Sequence, residues 1–217
     1  MFFTIVNRGR ANAVLLKARE CGATEGTIFL GEGTVQSVLL ELLGVNEVHK
    51  EIVMIPASAE LSDKLHEAIS ADFQLSKRNK GIAFSIPFKK RKLHVSDQDR
   101  PIKKVNPRFF CIMVIVDKEW TKHCIYAARA AGAKGGTLIH GHGAGIPAEF
   151  YFPVVLEPQK DLIFIIASKN KVSSIRKKIS TDLRLGQTGR GIIFTLPVTR
   201  TSGLVENRTR ERMGVKT

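Results

Sequence analysis

Apolar runs and amphipathic stretches alternate along the chain in an order that repeats. Residues 2–6 and 109–116 are short runs rich in Phe, Ile and Val, and they predict strands. Each is followed by a stretch in which Ala and Leu or Ile mix with Lys and Arg, residues 11–21 and 119–131, stopped by Gly22 or Gly132. Those stretches predict helices closed by a glycine just past their last turn. Residues 27–30 and 137–140 predict a second strand, and residues 51–55 and 161–166 a third, with a variable loop between them. Ser58 and Ser168 then stand where an N-cap oxygen would satisfy free amide donors. The helices they start run to about Phe73 and Leu183. A glycine-bearing loop leads to a fourth strand, residues 82–86 and 192–196, ended by Pro87 and Pro197. The order is β-α-β-β-α-β, twice.

The repetition is also visible residue by residue. Shifting the sequence by 110 positions aligns it with itself without gaps. Gly22-Ala23 falls on Gly132-Ala133, Gly26-Thr27 on Gly136-Thr137, and Gly31 and Gly33 on Gly141 and Gly143. Lys50 falls on Lys160, Ala57-Ser58 on Ala167-Ser168, and Gly81-Ile82, Phe84 and Pro87 on Gly191-Ile192, Phe194 and Pro197. Roughly 24 of about 88 aligned positions are identical, too many for chance. The expected organisation is one unit over residues 1–90, a basic linker over 91–107, a second unit over 108–200 and a basic tail over 201–217. The expected fold class is α+β: two tandem ferredoxin-like (βαββαβ) units, with helices on one face of antiparallel sheets. The other face of such a sheet needs cover, commonly from another copy. The units are therefore expected to pack sheet to sheet, with each other or with further chains.

Composition narrows the class. Of 217 residues, 43 % are hydrophobic and 25 % charged, which excludes a wholly disordered, collagen-like or membrane-embedded chain. The net charge of +14 is uneven: residues 1–88 carry −1, residues 89–108 carry +6, residues 109–200 carry +7 and residues 201–217 carry +2. More than half of it thus lies in the linker and tail. Lys89-Lys90-Arg91-Lys92 is the densest run, and with no interleaved aromatics it reads as a solvated linker rather than a nucleic-acid contact. Lys169, Lys171, Arg176, Lys177 and Lys178 read as a solvated helix face. Cys21, Cys111 and Cys124 are too few and too scattered for a disulfide scaffold, which suits a reducing compartment. The first residues lack the cationic lead and the length of a signal core, and no run reaches the ~18 apolar residues of a membrane span. A cytoplasmic location is expected.

Candidate chemistry gathers at glycines and lysines. Gly31-Glu32-Gly33 and Gly141-His142-Gly143 end the second strands, where backbone amides can approach an anion with no Cβ in the way. Asn79-Lys80-Gly81 and Thr188-Gly189-Arg190-Gly191 precede the fourth strands and pair glycine with a cation. The second copy, glycine-rich from Gly186, looks the better phosphate loop. Lys50 and Lys160 open the third strands, which run antiparallel to the second, so each lysine lies beside a Gly-x-Gly. His140 and His142, on one side of a strand, could hold a metal, but no third ligand is near and the first unit has Leu30 and Glu32 instead. There is no Ser-His-Asp set, no matched carboxylate pair and no Walker loop, so catalysis is not expected. Lys80-Gly81-Ile82-Ala83-Phe84 approaches a ribonucleoprotein consensus. It opens the fourth strand rather than the third, however, and Ile82 and Ile192 stand where stacking aromatics belong.

Together these residues resemble the P-II nitrogen-regulatory signalling family. The resemblance covers both units and is carried by Gly22-Ala23, Gly26-Thr27, Gly31-Glu32-Gly33 and Lys50-Glu51, by their counterparts at Gly132-Ala133, Gly136-Thr137, Gly141-His142-Gly143 and Lys160-Asp161, and by the closing Gly-x-x-Phe-x-x-Pro at Gly81 and Gly191. It implies a non-catalytic, oligomeric signal-transduction protein that binds an adenine nucleotide (ATP, ADP or AMP) between neighbouring units. Its T-loops, the segments 34–49 and 144–159, would control a partner protein, a membrane transporter or a metabolic enzyme. By motif position, Thr27 and Thr137 would lie near the adenine. Gly31, Gly33, Gly141, Gly143, Gly81, Thr188, Gly189 and Gly191 would approach the phosphates, and Lys50, Lys80, Lys160 and Arg190 would neutralise them. The second unit's loop is the expected seat of the ligand. Val35 and Gly145 stand where nitrogen-sensing members carry a metal- and 2-oxoglutarate-binding glutamine. Neither a metal nor nucleic acid is expected to bind. The alternatives are a trimeric metal-binding or metal-tolerance protein of the same fold, using His140 and His142, and an RNA binder.

Overall fold

The computed structural model describes residues 1–34, 47–88, 106–142 and 159–204. In chain order these form β1 (Phe2–Asn7), α1 (Ala11–Glu20), β2 (Thr27–Thr34), β3 (Glu47–Ile55), α2 (Ala59–Asp72) and β4 (Gly81–Ser85). The same succession follows as β5 (Phe109–Asp117), α3 (Thr121–Ala130), β6 (Thr137–His142), β7 (Gln159–Ser168), α4 (Lys169–Asp182) and β8 (Ile192–Val198), and a short β9 (Arg200–Ser202) closes it. A single 3₁₀ turn, Lys118–Trp120, delays the start of α3.

Local chemistry explains the element ends. After α1, Gly22 N–H bonds to Arg19 O and Ala23 N–H to Ala18 O, both at 2.9 Å, and after α3 Gly132 and Ala133 repeat the pattern. This is the double hydrogen bond that closes a helix through a glycine of positive φ. Ser58 caps α2 as expected, its Oγ 3.2 Å from Leu61 N. Ser168 holds the same backbone position at α4, but its hydroxyl donates to Asn170 Oδ1 at 2.6 Å and caps nothing. A competing side-chain acceptor two residues on has taken it.

The described strands make one sheet, in the order β8-β5-β7-β6-β2-β3-β1-β4-β9. All its pairings are antiparallel. The repeated element order predicts a separate sheet for each unit; in the structure the halves fuse where β2 pairs with β6. β8 and β9 lie at opposite ends of the strand order, yet Thr199 alone separates them in sequence. The two ends of the sheet therefore meet, and it curls almost into a barrel.

Alternation along the strands sorts side chains to two faces. Phe2 and Val6 of β1 pack outward with Val14, Leu65 and Ile69 of α1 and α2. Val114, Ile163, Ile175 and Ile179 make the matching outer core under α3 and α4. The inner face is shared: Ile5, Ile52 and Phe84 of the first half meet Cys111, Phe164 and Val198 of the second. Phe3 stacks on Phe84, with ring centroids 5.1 Å apart, and meets Phe164 edge-on. Each half thus covers the sheet face that the helices of the other leave bare. All three cysteines are free thiols, and burial pushes Cys111 and Cys124 up to about 12. Among the described residues, no helix is long and apolar enough to cross a membrane.

Candidate functional site

At the fusion of the halves, Gly31, Glu32 and Gly33 of β2 face Ile139, Leu138 and Thr137 of β6. A side chain at Gly31 would press into the Leu138 carbonyl oxygen. Past the last rung, Thr34 N–H bonds to Gly136 O at 3.1 Å, and Gly136 N–H donates back to Thr34 Oγ1 at 3.0 Å. A cavity of about 300 Å³ opens beside this junction. That is the lower end of the range of small-molecule sites, ~300–1,000 Å³.

Both halves build the cavity. The first supplies Gly33, Lys50, Asn79 and Gly81; the second supplies the turn Lys134-Gly135-Gly136-Thr137. Ile5, Ile82, Phe164 and Ile166 give it an apolar side, and Gly203 and Leu204 reach it from beyond β9. Among the described residues that line it are three cations, Lys50, Arg78 and Lys134, and no carboxylate. Lys50 is partly buried, and desolvation holds its ammonium below the usual lysine range. Its Nζ lies 2.5 Å from Asn7 Oδ1, while Asn7 Nδ2 donates to Asn79 O at 3.3 Å. A neutral amide therefore orients the lysine without cancelling its charge. A desolvated cation in an acid-free cavity favours an anion.

Of the residues singled out in the sequence, Gly33, Lys50, Gly81 and Thr137 come together here. Gly31 faces Lys50 across the β2–β3 ladder, and Gly141 faces Lys160 across β6–β7, as the antiparallel order implied. Thr27 is exposed at the start of β2 and Lys80 is exposed in its turn; neither lines the cavity. Lys160 forms an ion pair with Asp117. Thr188 and Gly189 lie in the turn before β8, and the Arg190 guanidinium sits 4.9 Å over the Trp120 ring. Gly81 and Gly191 hold φ of 139° and 131° because each packs against a carbonyl, of Ile5 or Ile115, where a Cβ has no room. Their recurrence thus has a packing cause of its own. Gly143 lies outside the described residues, as does most of both T-loop segments. The cavity follows the first half's loop, not the glycine-rich second one.

Arg78 lies in the first half's loop before β4, a candidate in the sequence, whereas Asn7, Thr34 and the Lys134-Gly135-Gly136 turn were missed as site residues. The turn carried a signal, a cation and two glycines directly before a strand. Asn7 carried none, because a single asparagine at a strand end is ordinary.

A second polar cluster lies on the other side of the junction. Asp161, 2 % exposed, accepts from Thr121 Oγ1 at 2.5 Å and faces His140 Nδ1 at 2.8 Å. His140 Nε2 stands 3.4 Å from Glu32 Oε2 of the first half. The Asp161 hydrogen bond, opposed by burial and aided by Glu32, raises the His140 pKa. Among the described residues, no group of three or more His, Cys, Asp and Glu is placed to hold a metal ion. Phe84, the aromatic of the RNA-like motif, is 1 % exposed and spent on the inner core.

Neither a protein-family model nor a curated protein matches the chain. Among solved structures it is similar to the crystal structure of Arabidopsis thaliana PII bound to citrate, with 26 % identity over 43 % of this chain and 79 % of that one and a TM-score of 0.36.

Proposed function

We propose that the chain is a non-catalytic, P-II-like regulatory protein, two ferredoxin-like units fused in one polypeptide, that binds an adenine nucleotide in the cleft between its halves. The strand orders β4-β1-β3-β2 and β8-β5-β7-β6 are the same permutation in each half, which supports the tandem reading. The observation that carries the ligand is Lys50: a partly buried ammonium, held by a neutral amide, in a cavity with Arg78 and Lys134 and no acid among the described lining. Gly33 and Gly81 line the cavity beside these cations, and the apolar wall of Ile5, Ile82 and Phe164 suits a base.

A ligand there touches both halves at once. If it binds one arrangement of the halves more tightly than another, it shifts their balance, and a partner protein such as a transporter or metabolic enzyme reads the result. Segments 34–49 and 144–159 are the proposed contact regions. Self-association through further copies belongs to the same proposal.

Calorimetric titration of the full chain with ATP, ADP and AMP is the direct test. At least one should bind, and Lys50→Gln should weaken it about tenfold, equivalent to ~1.4 kcal/mol. Absence of heat and of any rise in melting temperature with all three would reject the reading. Heat with copper or zinc instead, abolished by His142→Ala, would favour the metal-binding alternative.

A further inference from the structure

The two halves place a lysine at the same register point but give it different company. Lys50 of β3 pairs with Asn7 of β1, and Lys160 of β7 pairs with Asp117 of β5. In the internal alignment these are the same two positions, 110 residues apart. Asn7 is an amide and both of its ends are used: Oδ1 accepts from Lys50 Nζ and Nδ2 donates to Asn79 O. The charge of Lys50 at the cavity wall is therefore not matched by an anion, and the loop before β4 is tied to it through Asn7. Asp117 is a carboxylate in an ion pair with Lys160, so the pair is neutral as a unit. Lys160 does not line the cavity. The cation of the second half's loop, Arg190, is likewise engaged, over Trp120, whereas its first-half counterpart Lys80 is exposed.

We infer that the chain takes one phosphate-bearing ligand, at Lys50, and that Asn7 is the residue that keeps this site open, while Asp117 fills the corresponding place in the second half from within. The inference rests on the proposal that the cleft binds a nucleotide. A phosphate arriving at Lys50 meets a cation whose present partner is uncharged, and nothing negative has to leave. A phosphate arriving at Lys160 meets a carboxylate already in contact with the ammonium, and like charge repels it. Replacing the amide at position 7 by a carboxylate would do the same to the first half. It would also set a negative oxygen against the Asn79 carbonyl, where Nδ2–H now donates.

The test uses the full-length chain with ADP and, as an anion without a base, inorganic pyrophosphate. Calorimetry should give one ADP per chain. Asn7→Asp should weaken both probes by tenfold or more, as Lys50→Gln does, with the melting temperature of the unliganded variants within a few degrees of the parent. Lys160→Gln should leave ADP affinity within twofold. Two equivalents of ADP per chain, a Lys160→Gln loss as large as that of Lys50→Gln, or an Asn7→Asp variant that binds normally would each overturn the inference while leaving nucleotide binding itself standing. Failure of the parent chain to bind either probe would overturn both.

Discussion

His66 Nδ1 lies 2.8 Å from Ser202 Oγ, joining α2 to the last described strand across 136 residues of sequence. Its other nitrogen, Nε2, lies 3.0 Å from Ser85 Oγ on β4, and its ring meets Phe2 edge-on. The ring is 1 % exposed, and burial, with Arg200 adding repulsion against a smaller pull from Asp63, lowers its pKa to about 4. Protonation thus favours the unfolded chain. The contribution of neutral His66 is complete above the ordinary value of 6.5 and is lost as pH falls from there toward 4. Between pH 7 and 4.5 it should cost about 2 kcal/mol. Urea midpoints at the two pH values should show that loss in the parent chain, and His66→Leu should flatten the difference by the same amount. An equally steep fall in the variant would assign the acid sensitivity to other groups.

Gly31 and Gly141 are equivalent in the repeat, and the structure separates them. A Cβ on Gly31 would press into the Leu138 carbonyl and stand 2.7 Å from Ile52 Cδ1, whereas on Gly141 the nearest atom is Lys160 O at 3.6 Å. Gly31→Ala should therefore lower stability by about 3 kcal/mol by forcing β2 from β6, and Gly141→Ala should stay within about 0.5 kcal/mol. Denaturant unfolding of the two variants measures the contrast directly.

That contrast marks how far the sequence could be read. Apolar period and glycine stops located eight strands and four helices because those signals are local. The β2–β6 junction is made chiefly by the backbones of edge strands, and its few side-chain marks, Gly31, Thr34 and the Glu32–His140 pair, name no partner strand in the sequence, so the fusion into one sheet was not legible. Nor was β9, whose three residues Arg200, Thr201 and Ser202 are polar and owe their conformation to β4. Within the candidate site, Lys50, Gly33 and Gly81 stood out because they recur. Asn7 matters through the one atom by which it differs from Asp117, and an alignment that looks for identity passes over it.

The two N-cap serines offer a matched pair. Ser58 Oγ accepts from Leu61 N–H, but Ser168 Oγ donates to Asn170 instead. Ser58→Ala should cost about 1 kcal/mol and Ser168→Ala a few tenths at most. A third helix start is served from a distance: Glu51 Oε2 accepts from Arg10 N–H at 3.0 Å and Ala11 N–H at 2.7 Å at the head of α1. A carboxylate there satisfies two free donors and meets the positive end of the helix. Glu51→Ala should lose about 1–2 kcal/mol, more than either serine, in the same unfolding assay.

His140 titrates in the opposite sense to His66. It stands between Asp161 of its own half and Glu32 of the other, with Thr121 holding the far oxygen of Asp161 and His49 4.0 Å from Glu32. The folded state raises its pKa, so its contribution is complete below 6.5 and fades as pH climbs through the folded value. Because one of its partners lies across the β2–β6 junction, the imidazolium ties the halves together most firmly in mild acid, where His66 begins to loosen β9. Proton NMR of the His140 ring should place its midpoint above that of a histidine in the unfolded chain. Asp161→Asn should bring it down further than Glu32→Gln, since the Asp161 hydrogen bond is the larger cause. A midpoint at or below the ordinary histidine value in the parent chain, or equal effects of the two variants, would show that the bridge in solution is not the one described.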